Sequence, residues 1–182
     1  MLEVSFFTLA TAVLAYLSRA SLRAPKSHGF SRFFAWELML VLLVMNVDVW
    51  NEDLFSPHQL ISGALMLISL LLVVNGFRSL IRFGQQNEQR NEAPMFGFEK
   101  TTALVSSGIY RFIRHPMYSS LMFLDWGLFF KRTSWITGII ALGACALLLI
   151  ASLAEEKENI RYFGEKYREY MKRSKRFVPF LL

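Results

Sequence analysis

Cysteine is nearly absent from this chain of 182 residues: Cys145 stands alone. That excludes an intramolecular disulfide and any cysteine-based metal site. Charge is scarce too. Charged residues make up 19% of the chain against 54% hydrophobic ones, too apolar a balance for an ordinary soluble domain of this size. The charge that exists clusters between long apolar runs, which is the pattern of a polytopic membrane protein. The sequence has no internal repeat, low-complexity segment or nucleic-acid motif. The formal net charge of +6 therefore points to lipid as a partner rather than nucleic acid, because the basic residues lie beside the apolar runs.

The first run covers about residues 2–18. No basic segment precedes it and no small-x-small site follows, so a retained span is expected rather than a cleaved signal. Arg19, Arg23, Lys26 and Arg32 then form a basic loop, broken by Pro25 and Gly29. A second run covers about 33–50, with Glu37 and Asp48 near its ends, where charge is least costly. Ser56-Pro57 suits a helix start for the third and clearest run, about 59–80, in which Asn75 and Gly76 suit helix packing. Residues 82–101 are the most polar part and are punctuated by Gly84, Pro94 and Gly97. They read as a surface loop, either a lid over a site or a linker.

Residues 117–130 are apolar but run for only about 14 positions and contain Asp125. A full crossing needs roughly 20. Lys131-Arg132 make a turn, and 134–153 is a full-length span, so the two segments form a helical hairpin. After it, Ile160, Phe163, Tyr167 and Tyr170 share one helical face of an amphipathic tail. The tail ends in a basic cluster, Lys172, Arg173, Lys175 and Arg176, suited to headgroups.

The expected fold is all-α. It is a polytopic membrane protein of about five transmembrane helices, with a C-terminal helical hairpin and a cytoplasmic amphipathic tail helix. Residues 1–182 form one domain, with three spans in 1–80 and the candidate site in 81–182. Of the 20 Lys and Arg residues, 18 fall on one face if there are five crossings: 4 in the first loop, 6 from Arg78 to Arg114 and 8 in the tail. The positive-inside rule makes that face cytoplasmic.

The chemistry concentrates in Gly108–Tyr118, GIYRFIRHPMY. His115-Pro116 looks like a helix start, since proline at the first helical position has no N–H to leave unpaired. The amides of Met117, Tyr118 and Ser119 then face an anion. Arg111 and Arg114 add positive charge, and Tyr110 and Tyr118 offer flat faces for a heterocycle or a cation. The bland alternative is a basic juxtamembrane loop that anchors a helix at the headgroups. His115 with Glu155 and Glu156 lacks a third well-placed ligand, so no metal site is expected.

This stretch resembles the G-x-Y-x-x-x-R-H-P-x-Y signature of the isoprenylcysteine carboxyl methyltransferase and phospholipid methyltransferase superfamily, integral-membrane enzymes that use S-adenosylmethionine. The superfamily follows it with Glu-Glu and F-G-x-x-Y-x-x-Y. Here Glu155-Glu156 and Phe163–Tyr170 match, with Pro179 near the end. Three elements in order, around a helical hairpin, make a specific signal over about residues 100–180.

The resemblance implies methyl transfer from S-adenosylmethionine to a lipophilic or amphiphilic acceptor at the cytoplasmic membrane face. It implies cofactor contacts at Leu104, Val105, Tyr110, His115, Pro116, Met117, Tyr118 and Glu155, with Gln86 a weaker match. Helical phase instead favours Glu156, which shares the face of Ile160 and Phe163, so both glutamates remain candidates and Glu155 comes first. Arg114 and Arg111 are weak catalytic candidates. Ser120 stands where the superfamily usually has glycine. Ala151 stands where the eukaryotic prenylcysteine enzymes have a substrate-contacting arginine. Sterol reductases, which use NADPH, share an R-H-P-x-Y stretch and form a second reading, although Glu155-Glu156 favours the methyltransferase. A third is an inactive membrane scaffold.

Overall fold

A computed structural model describes residues 1–85 and 94–178. Among these residues the structure is helical, apart from an isolated bridge between Ile113 and Lys175. The α-helices are α1 (Leu2–Leu17), α2 (Arg19–Leu22), α3 (His28–Met45), α4 (Pro57–Phe83), α5 (Pro116–Phe129), α6 (Trp135–Phe163) and α7 (Glu165–Arg173). By length and composition α3, α4 and α6 are able to cross a membrane. The apolar α1 and α5 are shorter, with 16 and 14 residues.

Local chemistry sets the helix starts. α4 and α5 each open on a proline, Pro57 and Pro116. α6 opens on a capping box, in which Ser134 Oγ accepts the Thr137 amide at 3.2 Å and Thr137 Oγ1 accepts the Ser134 amide at 3.0 Å.

α3 packs along α6, α4 along α5, and α5 against α6. Ala141, Ala144, Leu148 and Ala151 line the buried side of α6 and let its neighbours approach closely. Leu60, Leu67 and Leu71 of α4, and Ile136, Ile139 and Leu142 of α6, point outward and are exposed. Large apolar side chains outside and small ones inside suit a bundle whose solvent is lipid. Some interior polar groups tie helices together. Asn46 Nδ2 donates to the Leu42 and Leu128 carbonyls at 2.8 and 3.0 Å, and Ser62 Oγ donates to the Gly127 carbonyl at 2.7 Å. Asp125 also faces the interior, where Cys145 Sγ lies 3.4 Å from its Oδ2. In the hairpin turn, Lys131 donates to Gln59 Oε1 at 2.8 Å and Arg132 to Asp48 Oδ2 at 2.6 Å.

Two boundaries differ from the sequence expectation. The basic loop expected to include Arg32 ends sooner. α3 already begins at His28, and both His28 and Arg32 are buried. Their carboxylate partners, Glu158 and Glu99, offset the cost of placing charge there. The tail is also not one helix from Glu155 onward. α6 runs on to Phe163, and Gly164, at φ +62°, breaks it before α7. Only glycine takes that conformation without strain. After α7 the chain returns to the signature. The Arg114 and His115 amides donate to the Lys175 and Arg176 carbonyls at 2.7 and 3.1 Å, and the Lys175 amide donates to the Phe112 carbonyl at 2.9 Å.

Candidate functional site

A cavity of about 180 Å³ lies where the open end of the α5–α6 hairpin meets α3 and α4. His115 caps the start of α5, and the Ser119 amide donates to its carbonyl at 2.9 Å. Ser119 is therefore not the free donor expected from the sequence; the Met117 and Tyr118 amides are the ones left without an intrahelical acceptor. The tail clamps this turn. Tyr170 donates its hydroxyl hydrogen to the Tyr110 carbonyl at 2.7 Å, Ser119 Oγ donates to the Phe177 carbonyl at 2.7 Å, and Arg114 Nη1 donates to the Ser174 carbonyl.

Of the candidate residues, Leu104, Val105, Tyr110, Arg114, His115, Met117, Tyr118 and Glu155 all line this cavity. Pro116 is buried but does not line it. Arg111 is exposed, with its guanidinium 5.8 Å from the Phe112 ring centroid, and it also lies off the cavity. Gln86 lies outside the described residues.

The two glutamates part company. Glu156 is buried in a charge cluster. Its Oε1 accepts from Arg114 Nε at 2.9 Å, and its two oxygens accept from Arg176 Nε and Nη2 at 3.1 and 2.9 Å. Glu155 lines the cavity, and its ionic contact is His115 Nδ1 at 3.8 Å. Helical phase does point Glu156 inward, but inward here means an ion pair rather than the cavity wall.

The opposite wall holds polar residues that the sequence alone did not single out. His28 Nδ1 lies 2.6 Å from Glu158 Oε2, and His28 Nε2 lies 3.6 Å from Glu99 Oε2. Arg32 pairs with Glu99, whose Oε2 also accepts the Phe96 amide at 2.9 Å. Burial pushes the Glu99 carboxyl up, but Arg32 and then His28 outweigh it and hold the group at about 2. Phe96 stacks between Trp36 and Phe98, with centroids 6.0 and 5.8 Å away, and the Arg32 guanidinium lies 4.8 Å from the Phe96 ring. Phe98 and Trp36 thus give this side of the cavity an aromatic roof, with Phe96 stacked between them off the cavity wall. A signal for this wall was present. His28, Arg32 and Trp36 recur every four residues at the start of an apolar run, which places them on one helical face.

The cavity offers defined chemistry. Burial, with Glu155 next, pushes the Tyr110 and Tyr167 hydroxyls well up, so both rings stay neutral. The Tyr118 hydroxyl is buried without a hydrogen-bond partner, and His28 Nε2 and His115 Nε2 face carboxylates only at long range, Glu99 Oε2 at 3.6 Å and Glu156 Oε1 at 3.4 Å. Unsatisfied polar atoms at a cavity wall are what a polar ligand would complete. Among the described residues, no group of three His, Cys, Asp or Glu side chains is placed to hold a metal ion.

Fold and site together define an integral membrane protein, all-helical, with a polar cavity at the open end of a helical hairpin. The chain belongs to the phospholipid methyltransferase family, whose model matches residues 58–166. It is similar to the protein-S-isoprenylcysteine O-methyltransferase of Homo sapiens, at 30% identity over 163 residues, covering 86% of this chain and 57% of the relative. It is also similar to the methanethiol S-methyltransferase of Pseudomonas deceptionensis, at 33% identity over 73 residues, covering 40% of this chain and 27% of that protein. The methanethiol S-methyltransferase of Crocosphaera subtropica matches at 22% identity over 179 residues, covering 86% and 63%. The chain thus spans less than two thirds of the length of each of these relatives. No solved structure matches it.

Proposed function

We propose that this chain is a methyltransferase that takes its methyl group from S-adenosylmethionine and acts on a lipophilic or amphiphilic acceptor at the cytoplasmic membrane face. The observation that carries this reading is Glu155. It is a cavity-wall carboxylate, whereas the adjacent Glu156 is already neutralised by Arg114 and Arg176. The residues present fit the cofactor. Glu155 accepts from an ammonium by a charge-assisted bond. The Met117 and Tyr118 amides, with His115 beside them, suit a carboxylate. Tyr110 and Tyr118 present ring faces to a sulfonium or a base. When bound, the cofactor supplies a methyl group on a sulfonium that departs as a neutral thioether. The chain therefore needs no acid at the leaving group. Its contribution is to hold the two reactants in line and keep water out, and the aromatic roof and apolar walls serve that end.

The acceptor follows from the cations. Arg32 is held by Glu99, Arg114 by Glu156 and His28 by Glu158. Ala151 is fully buried against Ala35, Tyr118 and Leu148 and adds no charge. A carboxylate acceptor would find its cations already paired, and an unpaired charge in a dry site is costly. A thiol, an amine or another uncharged nucleophile is the better match. Isothermal titration of the purified chain with S-adenosylmethionine and with NADPH tests the cofactor. Binding of the first alone is expected. Binding of NADPH instead would replace this reading with a reductase, and binding of neither would leave a scaffold.

A further inference from the structure

A second groove runs between the tail and the flank of the α5–α6 hairpin. Its floor is apolar, formed by Met122, Ala146 and Leu149, and its mouth is basic, formed by Arg173, Lys175 and Arg176. Cys145 at its lower end precedes Glu155 by ten residues (155 − 145). That is about 15 Å along the helix at 1.5 Å per residue, so the groove descends from the tail well into the apolar span. Leu149 is 39% exposed, and the floor therefore opens sideways to the surroundings of the bundle.

The charges at the mouth are unbalanced. Lys172 is offset by Glu169 and Arg176 by Glu156. Arg173 and Lys175 are exposed, and among the described residues neither has an ion-pair partner. Two uncompensated cations above an apolar channel match a molecule with a negative head and a hydrocarbon tail. A freely soluble anion would leave the channel unused, and a neutral lipid would leave the cations unused.

We propose that this groove binds an anionic phospholipid, with its phosphate between Arg173, Lys175 and Arg176 and one acyl chain along Met122, Ala146 and Leu149. The site is distinct from the first cavity, with which it shares Arg114 alone among its lining residues, and the lipid is a bound ligand rather than the methyl acceptor. The inference does not rest on methyl transfer.

The test is native mass spectrometry of the delipidated full chain in detergent, with phosphatidylglycerol, phosphatidylcholine or water-soluble glycerol phosphate added. One phosphatidylglycerol per chain should be retained about thirtyfold better than phosphatidylcholine, since each of the two uncompensated basic side chains contributes about 1 kcal/mol near a lipid surface. The exposed double variant R173Q/K175Q should lose about that preference. Leu149→Trp, which fills the floor and keeps every charge, should also weaken retention. Equal retention of phosphatidylcholine, or phosphatidylglycerol retained undiminished by either variant, would overturn the proposal. So would competition by glycerol phosphate as effective as that of the lipid, which would make this a simple anion site.

Discussion

Arg114 Nε and Glu156 Oε1 lie 2.9 Å apart, although 42 positions separate them in the chain. The pair ties the turn before α5 to the last turns of α6, and Arg176 brings the tail to the same carboxylate. Glu156 is therefore a structural junction, whereas Glu155 lines the cavity.

The two glutamates should separate on substitution. Glu155→Gln is expected to lower S-adenosylmethionine affinity by roughly ten- to a hundredfold, the worth of a charge-assisted bond, with little change in melting temperature. Glu156→Gln leaves Arg114 and Arg176 without their shared carboxylate. Breaking a buried pair from one side costs about 3–5 kcal/mol, so its melting temperature should fall. Calorimetric titration and thermal melting in detergent read the two effects. A stable Glu156→Gln protein that no longer binds, beside a Glu155→Gln protein that does, would reverse the assignment.

The all-helical class could be read from the apolar runs, and the start of α5 from His115-Pro116, because these depend on local composition and on proline; the short α2 and the break at Gly164 could not. The choice between the glutamates was not legible. Phase tells which residue turns inward, but not whether it meets a cavity or an arginine 42 positions away. His28 and Arg32 were hidden for a related reason. A charge at the head of an apolar run reads as loop until its partner is known, and Glu99 lies 67 positions downstream of Arg32. The return of the tail to the signature, Lys175 beside Ile113, left no local periodicity at all.

Acid should expose the Glu99 cluster. Its carboxyl is lowered from 4.5 to about 2 in the folded chain, so the unfolded chain binds that proton more readily. The stabilisation is complete above about pH 4.5, declines as pH falls below it and is gone once pH passes through about 2. Glu99→Gln should therefore melt lower than the parent at neutral pH and lose less between pH 4.5 and pH 2. Melting curves across that range check it, and parallel pH slopes in the two proteins would contradict it.

Glycine substitutions should separate strain from crowding. Gly164, at φ +62° and ψ −133°, has open space where a Cβ would project, so Gly164→Ala meets backbone strain alone, about 1–3 kcal/mol. Gly108, at φ +63°, is also in a conformation that favours glycine, and a Cβ there would in addition come within 2.6 Å of Ser79 Oγ. Gly108→Ala should melt lower than Gly164→Ala. It should also weaken cofactor binding, because the turn it distorts carries Tyr110. Equal melting temperatures would show that Ser79 moves aside freely.

Five crossings would place the N-terminus outside and the C-terminus in the cytoplasm, the arrangement that the distribution of 18 of the 20 basic residues favours. Epitope tags on the two ends, probed in intact and permeabilised cells, should respond oppositely. Tags on the same face would mean that one of the short helices, α1 or α5, does not cross.

The methyl acceptor divides the two groups of relatives, whose names carry different nucleophiles: an oxygen in one and a thiol sulfur in the other. Ala151 packs in the core with Tyr118 and Leu148 and has no exposure at all. Arg32 and Arg114 reach the cavity already paired. A prenylcysteine carboxylate would have to enter without a free counter-charge, or displace Glu99 or Glu156 from its arginine; either route is unfavourable in a site shielded from water. A lipophilic thiol meets neither obstacle, because its neutral form needs no counter-charge and matches the apolar lining of Val73, Leu80 and Leu121. Labelled S-adenosylmethionine, offered with a prenylcysteine analogue and with a panel of lipophilic thiols and amines, should pass its methyl group to members of the panel and poorly to the analogue. Efficient methyl-ester formation on the analogue would mean that one of the paired arginines is released to the substrate, and Arg114→Gln or Arg32→Gln would then show which.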